Sequence, residues 1–437
     1  MTRRILRATV AHTTGNPASD VKAFSAFLDG GLLIDDGKVE ACGDFAAIAA
    51  SSPGVAQVDW RGGVILPGLV DAHVHLPQMP VLGLLGWSLL EWLERAALPE
   101  EARMADASHA TAEAGRFVYA LASHGTTTAS VFGAHFPPAV AALFEAAHTA
   151  GIRISAGLVV SDRRLRPDLH SSPEAAYRDT SNLIRSFHGR GRLIYSVTPR
   201  FALSTTDAML DVCQTLLQEH PTVRFQTHLN EQTPEVEEVA RLFPWAADYF
   251  GVYERFGLAG ARSIMAHDVH VTSSELERLA SSGTSVAHCP ASNAALGSGV
   301  FPLRRHQDAG VHVALGTDVG GGTGFGMLKE ALQAYLFQRI ADDPLSLTPG
   351  YLLYLCTLAG AKALGLADRI GDFSPGKAAD FVYVRPRPRS VLAEVLRRAE
   401  DVTHALAAVI TLAGQESVHE VRVDDAVVYR AEDHDVG

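Results

Sequence analysis

The sequence predicts an α/β chain: a (β/α)8 TIM-like barrel with a small β-sandwich domain formed from both chain termini. Three observations predict it. Eight short apolar runs alternate with helix-period segments through the middle of the chain. Both ends read as short strands instead. The 437 residues also exceed the roughly 250 that one such barrel needs, which leaves chain for a satellite. The expected division is 1–65 and 371–437 as two parts of the small β domain, with 66–370 as the barrel.

Near the start, GLLIDDGKVEACG sets Asp36-Gly37 between two apolar runs, which predicts a hairpin. The pattern changes at GGVILPGLVDAHVHL. The runs from there are VILPGLVDAHVH, TTTASVFGA, IRISAGLVVSD, LIYSVTPRFAL, VRFQTHLNE, SIMAHDVHV, TSVAHCPAS and VHVALGTDVGG. Strands so continuously apolar, separated by helices, favour a closed parallel barrel over an open doubly wound sheet. PPAVAALFEAAHTAG, TTDAMLDVCQTLLQEH and SSELERLASSG carry helical spacing and end near Gly or Pro. GMLKEALQAYLFQRIA and LTPGYLLYLCTLAGAKALG read as helices after the eighth strand. IGDFSPGKAADFVYV and SVHEVRVDDAVVYR return to strand character.

A chain that is 47% hydrophobic and 20% charged is globular, which excludes a disordered, coiled-coil or collagen-like protein. A formal charge of −12 is ill suited to gripping a phosphate backbone, so no nucleic-acid partner is expected. No run reaches the ~18 apolar residues of a membrane helix. The basic start, MTRRILRATVAHTTG, has no signal-peptide core. Cys42, Cys213, Cys289 and Cys356 are dispersed and form no CxxC, so they read as small buried hydrophobes. The expected setting is the reducing cytoplasm, away from membranes.

His73 and His75 end the first barrel strand, in DAHVHL. Alternate residues of a strand face the same side, so both imidazoles can meet one metal ion. His228 in QTHLNE, His267 in MAHDVH and Asp318 in LGTDVGG end the fifth, sixth and eighth strands. Chemistry in such a barrel sits at the C-terminal strand ends, and five ionisable groups there point to a metal site. Taken singly, each histidine could be a satisfied core residue and Asp318 a helix cap. Glu231, three residues after His228, suits proton transfer beside a metal-bound water. Its alternative is a first-turn glutamate near Pro234. LIYSVTPRF contains no lysine that could be carbamylated to bridge two ions, so one divalent ion is expected. Zinc suits these N/O donors best, with iron the alternative.

Together PGLVDAHVHLPQ, HGTTTA, VTPRFALS, THLNE, MAHDVH, AHCPASN and GTDVGGG resemble the amidohydrolase superfamily, aminohydrolase type, over nearly the whole length. HLPQ with Gln78, the LLEWL that follows, and TPRF with Arg200 and Phe201 are similar to the guanine deaminases. The resemblance implies His73, His75, His228 and Asp318 as metal ligands. It implies Glu231 and Asp318 as proton shuttles and His267 beside the attacked carbon. Gln78, Arg200 and Phe201 would contact the purine, with His75, His228, Glu231 and Asp318 lining the same site. The implied reaction is hydrolysis of guanine to xanthine and ammonia in purine catabolism or salvage, by a homodimer. The alternatives are deamination of another base (a modified guanine, cytosine, an adenosine thioether) or a non-catalytic barrel. A donor-only Arg200 suits a 6-oxo group and disfavours a 6-amino group. The bland readings are a solvated Gln78, a core Phe201, an Arg200 paired with a carboxylate, and Leu89, Leu90, Trp92 and Leu93 as a buried helix stripe. One departure is Ala294 in SNAALGSG, where a larger residue is expected. If Ala294 lines the pocket, a larger base fits.

Overall fold

The computed structural model describes residues 3–432. The N-terminal strands are β1 (Arg4–Thr13), β2 (Phe24–Asp35), β3 (Lys38–Asp44) and β4 (Ala56–Pro67). β2 turns into β3 through Asp36 and Gly37, with φ of 43° and 78°. Two positive φ values make the I′ turn that matches strand twist, and Asp-Gly tolerates them.

The barrel follows as β5 (Leu69–His75), β6 (Thr126–Phe132), β7 (Arg153–Gly157), β8 (Val159–Val160), β9 (Leu193–Pro199), β10 (Arg224–Leu229), β11 (Ser263–His267), β12 (Ser285–His288) and β13 (His312–Leu315). Every expected run supplies a strand. The third splits at Leu158, whose N–H donates to the Tyr195 hydroxyl at 3.0 Å. The pairings are all parallel, in the order β5-β6-β7-β9-β10-β11-β12-β13. All seven residues of β5 and of β6 are buried, as a sheet covered by helices requires.

Closure between β5 and β13 is polar. The N–H of Asp318 donates to the His73 carbonyl (2.9 Å) and that of His75 to Val319 (3.1 Å). The Asp71 carboxylate accepts from Thr317 N–H (3.0 Å), Thr317 Oγ1 (2.5 Å) and His73 N–H (3.2 Å). Burial pushes Asp71 up to about 7 although the Thr317 bonds pull it down. One side chain thus staples the two strands that carry His73, His75 and Asp318.

The helices begin and end where the sequence signals place them. Pro137–Ala150 opens on two prolines and stops at Gly151, φ 81°. Ser273–Ser282 starts with a Thr272–Glu275 capping box and stops at Gly283. Val140, Leu143, Phe144 and Ala147 form one buried face of the first. Truncating a fully buried Phe144 to Ala would cost about 3–5 kcal/mol.

The chain ends on β14 (Phe381–Val384), β15 (Val418–Val423) and β16 (Ala426–Arg430). With the first four strands they form the expected small β unit from both termini, joined in one continuous sheet ordered β16-β15-β14-β4-β1-β2-β3. Leu6, Val10, Ile34, Ile65, Phe381 and Tyr383 make its own cluster, while Val64, Leu66, Val382 and Val384 join the main core. Arg153 of β7 ties barrel to sheet through Asp380 (2.9 Å) and Asp424 (2.6 Å). Helices Val391–Arg398 and Val402–Leu412, which the sequence reading leaves unassigned, lie between β14 and β15. The second packs on the barrel helices Met327–Gln338 and Pro349–Cys356. Among the described residues no helix is long and apolar enough to cross a membrane.

Candidate active site

The strand ends bring the predicted residues together. His75 Nε2 lies 3.2 Å from both His73 Nε2 and His228 Nε2. Asp318 Oδ1 is 3.2 Å from the Nε2 atoms of His73 and His75. His267 Nε2 faces Glu231 Oε2 at 3.5 Å and Asp318 Oδ2 at 3.9 Å. All six are buried. His73, His75 and His228, and likewise His73, His267 and Asp318, form clusters that could hold a metal ion.

The backbone is shaped for this. Asn230, His267, Asp268 and Asp318 have φ between 46° and 76°, at the ends of β10, β11 and β13. Such values strain non-glycine residues and need support from their surroundings. Asn230 Nδ2 donates to Asp268 (2.9 Å) and Glu275 (3.1 Å), and His306 Nε2 holds the other Asp268 oxygen at 2.8 Å.

Electrostatics divide the two acids. Burial raises the Glu231 carboxyl well above its usual range, reinforced by the charges of Asp318 and Glu235. Burial pushes Asp318 the same way, but the His73 and His75 contacts outweigh it and hold Asp318 well below the carboxylate range. Burial also lowers His73, His75 (to about 4) and His228, so these imidazoles are neutral. His228 Nδ1 donates to the Arg200 carbonyl at 2.5 Å, which leaves the lone pair on Nε2.

A cavity opens on this cluster. His75, His228, Glu231, His267 and Asp318 form its floor. Gln78, Arg200, Phe201, Leu89, Trp92, Leu93 and Leu296 form its walls. Leu89, Trp92 and Leu93 are therefore both a buried helix stripe and a cavity wall, while Leu90 lies outside. Ala294 is exposed and does not line the cavity, so its small size does not enlarge the site. Leu296 is the lining residue of that segment.

Arg200 is also the paired arginine of the bland reading. Its Nη1 lies 2.9 Å from Glu101 Oε1. Gln78 Nε2 donates to the same oxygen at 2.8 Å, and His135 Nε2 meets Oε2 at 3.1 Å. Gln78 Oε1 accepts from Gly320 N–H at 3.0 Å, and a Cβ at Gly320 would lie 2.4 Å from the Gln78 carbonyl. Glycine is what lets these backbones approach.

Sequence reasoning missed Glu101, His135, Asn293 and Gln232. Glu101 lies nine residues after Trp92, about two and a half turns of regular helix, which predicts the opposite face. Between them Leu93–Ala97 forms a π turn before Pro99, with Leu98 N–H reaching back to Leu93. A wider turn resets the helix phase. His135 follows β6 closely, and that strand-end position was a readable signal. Asn293 Oδ1 accepts from His267 Nδ1 at 2.9 Å. Gln232 clamps two walls, accepting from Leu89 N–H (3.2 Å) and donating to the Leu296 carbonyl (3.0 Å).

A parallel barrel with a His/Asp cluster and a buried acid at its strand ends defines a hydrolase-type site. The chain belongs to the amidohydrolase family, whose model matches residues 64–428. It is 53% identical to a probable guanine deaminase of Deinococcus radiodurans, over 98% of this chain and 99% of that protein. It is 38% identical to the guanine deaminase of Escherichia coli, covering 96% and 95% of the two chains. The solved E. coli guanine deaminase superposes with a TM-score of 0.94 at 37% identity, covering 98% of this chain and all of that one. A guanine deaminase from C. acetobutylicum with bound guanine in its active site superposes at 0.89 with 25% identity, covering 98% of this chain and all of that one.

Proposed function

We infer that this chain hydrolyses guanine to xanthine and ammonia. The observation that carries the reading is the meeting, in one cavity, of the candidate ligands His75, His228 and Asp318, a Glu231 whose carboxyl burial raises well above its usual range, and a wall bearing Gln78 and Arg200, with His73 Nε2 3.2 Å from His75 Nε2 and Asp318 Oδ1. The full-length similarity to guanine deaminases supports it.

The residues fit one divalent metal ion. Neutral imidazoles converge on one point with Nε2 atoms 3.2 Å apart, and buried atoms at the site, His267 Nε2 and Glu231 Oε1, lack hydrogen-bond partners. His73, His75, His228 and Asp318 would hold the ion. The donor set suits zinc, with iron(II) the alternative. When bound, such an ion acidifies water and so supplies hydroxide near neutral pH.

The chain's own residues do the rest. Asp318, kept ionised, accepts the proton lost by the attacking water. His267 Nδ1–H donates a hydrogen bond to Asn293 Oδ1, which leaves the Nε2 lone pair to accept from that water and orient it toward carbon 2 of guanine. Glu231, kept protonated, donates to the ring nitrogen beside the attacked carbon. The proton taken by Asp318 passes to the exocyclic amine, and as ammonia leaves the hydroxyl on carbon 2 returns its proton to Glu231 and becomes the 2-oxo group of xanthine. Arg200 and Gln78 donate to acceptors of the base, and Phe201 packs against the ring. The site residues, the zinc, a cytoplasmic place in purine catabolism and a homodimer all belong to this proposal. So does the division at residues 65 and 370, of which 1–2 and 433–437 lie outside the described residues.

An ammonia-release screen of the metal-loaded protein over guanine, 8-oxoguanine, adenine, cytosine and an adenosine thioether tests the reading. Guanine should give the highest kcat/KM. A preference for another ring would replace the substrate assignment, and release from none would leave a non-catalytic barrel.

A further inference from the structure

Glu101 has no part in the reaction just described, yet several barrel loops meet at its carboxylate. Gln78 follows β5, His135 follows β6 and Arg200 follows β9. Each reaches Glu101 within 3.1 Å, and all four side chains are buried. Gln78 is held from its other end by Gly320 N–H, so its amide cannot turn over. Burial works against an ionised Glu101, but the Arg200 charge and the His135 hydrogen bond overcome it and hold the carboxyl at about 2. Glu101 and Arg200 are therefore an ionised pair of zero net charge. Alone in a buried cavity, a guanidinium would select an anionic ligand, because charge attraction is little screened there. Guanine is neutral.

We propose that Glu101 is a specificity-determining residue: as the counter-ion of Arg200 it cancels the guanidinium charge, leaves N–H groups to donate to the ring, and so makes the cavity take neutral 6-oxopurines over anionic purines. The inference rests on the deamination reading. Glu101 is a positioning residue, since it touches Arg200 and Gln78 and acts on the base through them. The same neutrality disfavours an ionised product and so assists its release.

The test compares two ligands that are not turned over, hypoxanthine (neutral) and urate (a monoanion). Binding to the metal-loaded protein is read by calorimetry at about pH 8, where ordinary imidazoles are neutral. Glu101→Gln should move the ratio of the two affinities toward urate by about ten- to a hundredfold, the worth of a hydrogen-bonded charge. Glu101→Asp keeps the charge and should keep the wild-type ratio. The double variant Glu101→Gln/Arg200→Gln leaves no buried charge unpaired and should return the ratio to the wild-type value. Arg200→Gln alone should move it against urate, which keeps the test available if Glu101→Gln does not fold. An unchanged ratio in Glu101→Gln and Arg200→Gln, or a shift toward urate in Glu101→Asp as large as that in Glu101→Gln, would overturn the proposal. Calorimetry reads this ratio without turnover, so a wild-type protein that leaves guanine unconverted would count against the deamination reading and not against this one.

Discussion

Replacing Glu231 with Gln separates proton transfer from everything else the residue does. Glu231 is 3% exposed, faces His267 Nε2 at 3.5 Å through one oxygen, and has no hydrogen-bond partner on the other. Gln has the same shape and remains uncharged, but carries no transferable acidic proton. A positioned general acid contributes about 10²- to 10⁴-fold, or about 3–5 kcal/mol of barrier. kcat for guanine should fall by that factor, read as ammonia release at saturating substrate. Metal content should stay at the wild-type level, because Glu231 is not a proposed ligand. Stability provides a second reading. The folded carboxyl is raised above its unfolded value of 4.5, so folding must retain a proton that the unfolded chain releases. Wild-type stability is therefore lost as pH rises from about 4.5 toward the folded value, and the Gln variant lacks that loss. Its melting temperature at neutral pH should equal or exceed that of wild type. Activity within threefold of wild type at full metal content would refute the acid role. Loss of the metal would refute the assignment of Glu231 as a non-ligand.

Arg200→Ala should lower kcat/KM for guanine by about ten- to a hundredfold, and should affect 2-aminopurine, which has no 6-oxo group, much less. It should also depress the melting temperature by stranding Glu101, and adding Glu101→Gln should restore it. Equal losses on both substrates would mean that Arg200 does not read the oxo group. His12 is buried in the small sheet, where its Nδ1 accepts from Phe373 N–H and burial lowers it to about 4. The unfolded chain takes up that proton below about 6.5, so up to about 3 kcal/mol of stability, whole above 6.5, is lost as pH falls to about 4. His12→Gln should flatten the acid side of the melting curve, and an unchanged slope would contradict this. Gln232→Ala unclasps the walls at Leu89 and Leu296 and should raise KM severalfold with less change in kcat, since no proton moves through it. A fall in kcat with KM constant would place Gln232 in the chemistry.

What was legible in the sequence was what periodicity and strand ends encode. The barrel runs are apolar on both faces because helices cover the sheet, so each strand stood out. His73, His75, His228, His267 and Asp318 stood out because each closes such a run. The departures have local causes. Tyr195 takes the N–H of Leu158 and divides one strand in two. The π turn before Pro99 brings Glu101 to the cavity side, where regular spacing puts a solvated glutamate. Helix Val402–Leu412 owes its place to barrel helices far away in sequence. Gln232 and Asn293 act through single hydrogen bonds across the barrel mouth, and no spacing along a chain encodes those.

One ion held by the His/Asp cluster should be sufficient and necessary for hydrolysis of guanine. The most direct measurement strips the protein of metal and adds zinc in steps, following xanthine and ammonia together. Activity should be absent without metal and rise linearly to a break at about one equivalent per chain, with one ammonia for each xanthine. A break at two equivalents, turnover by the metal-free protein, or no xanthine at full occupancy would contradict it.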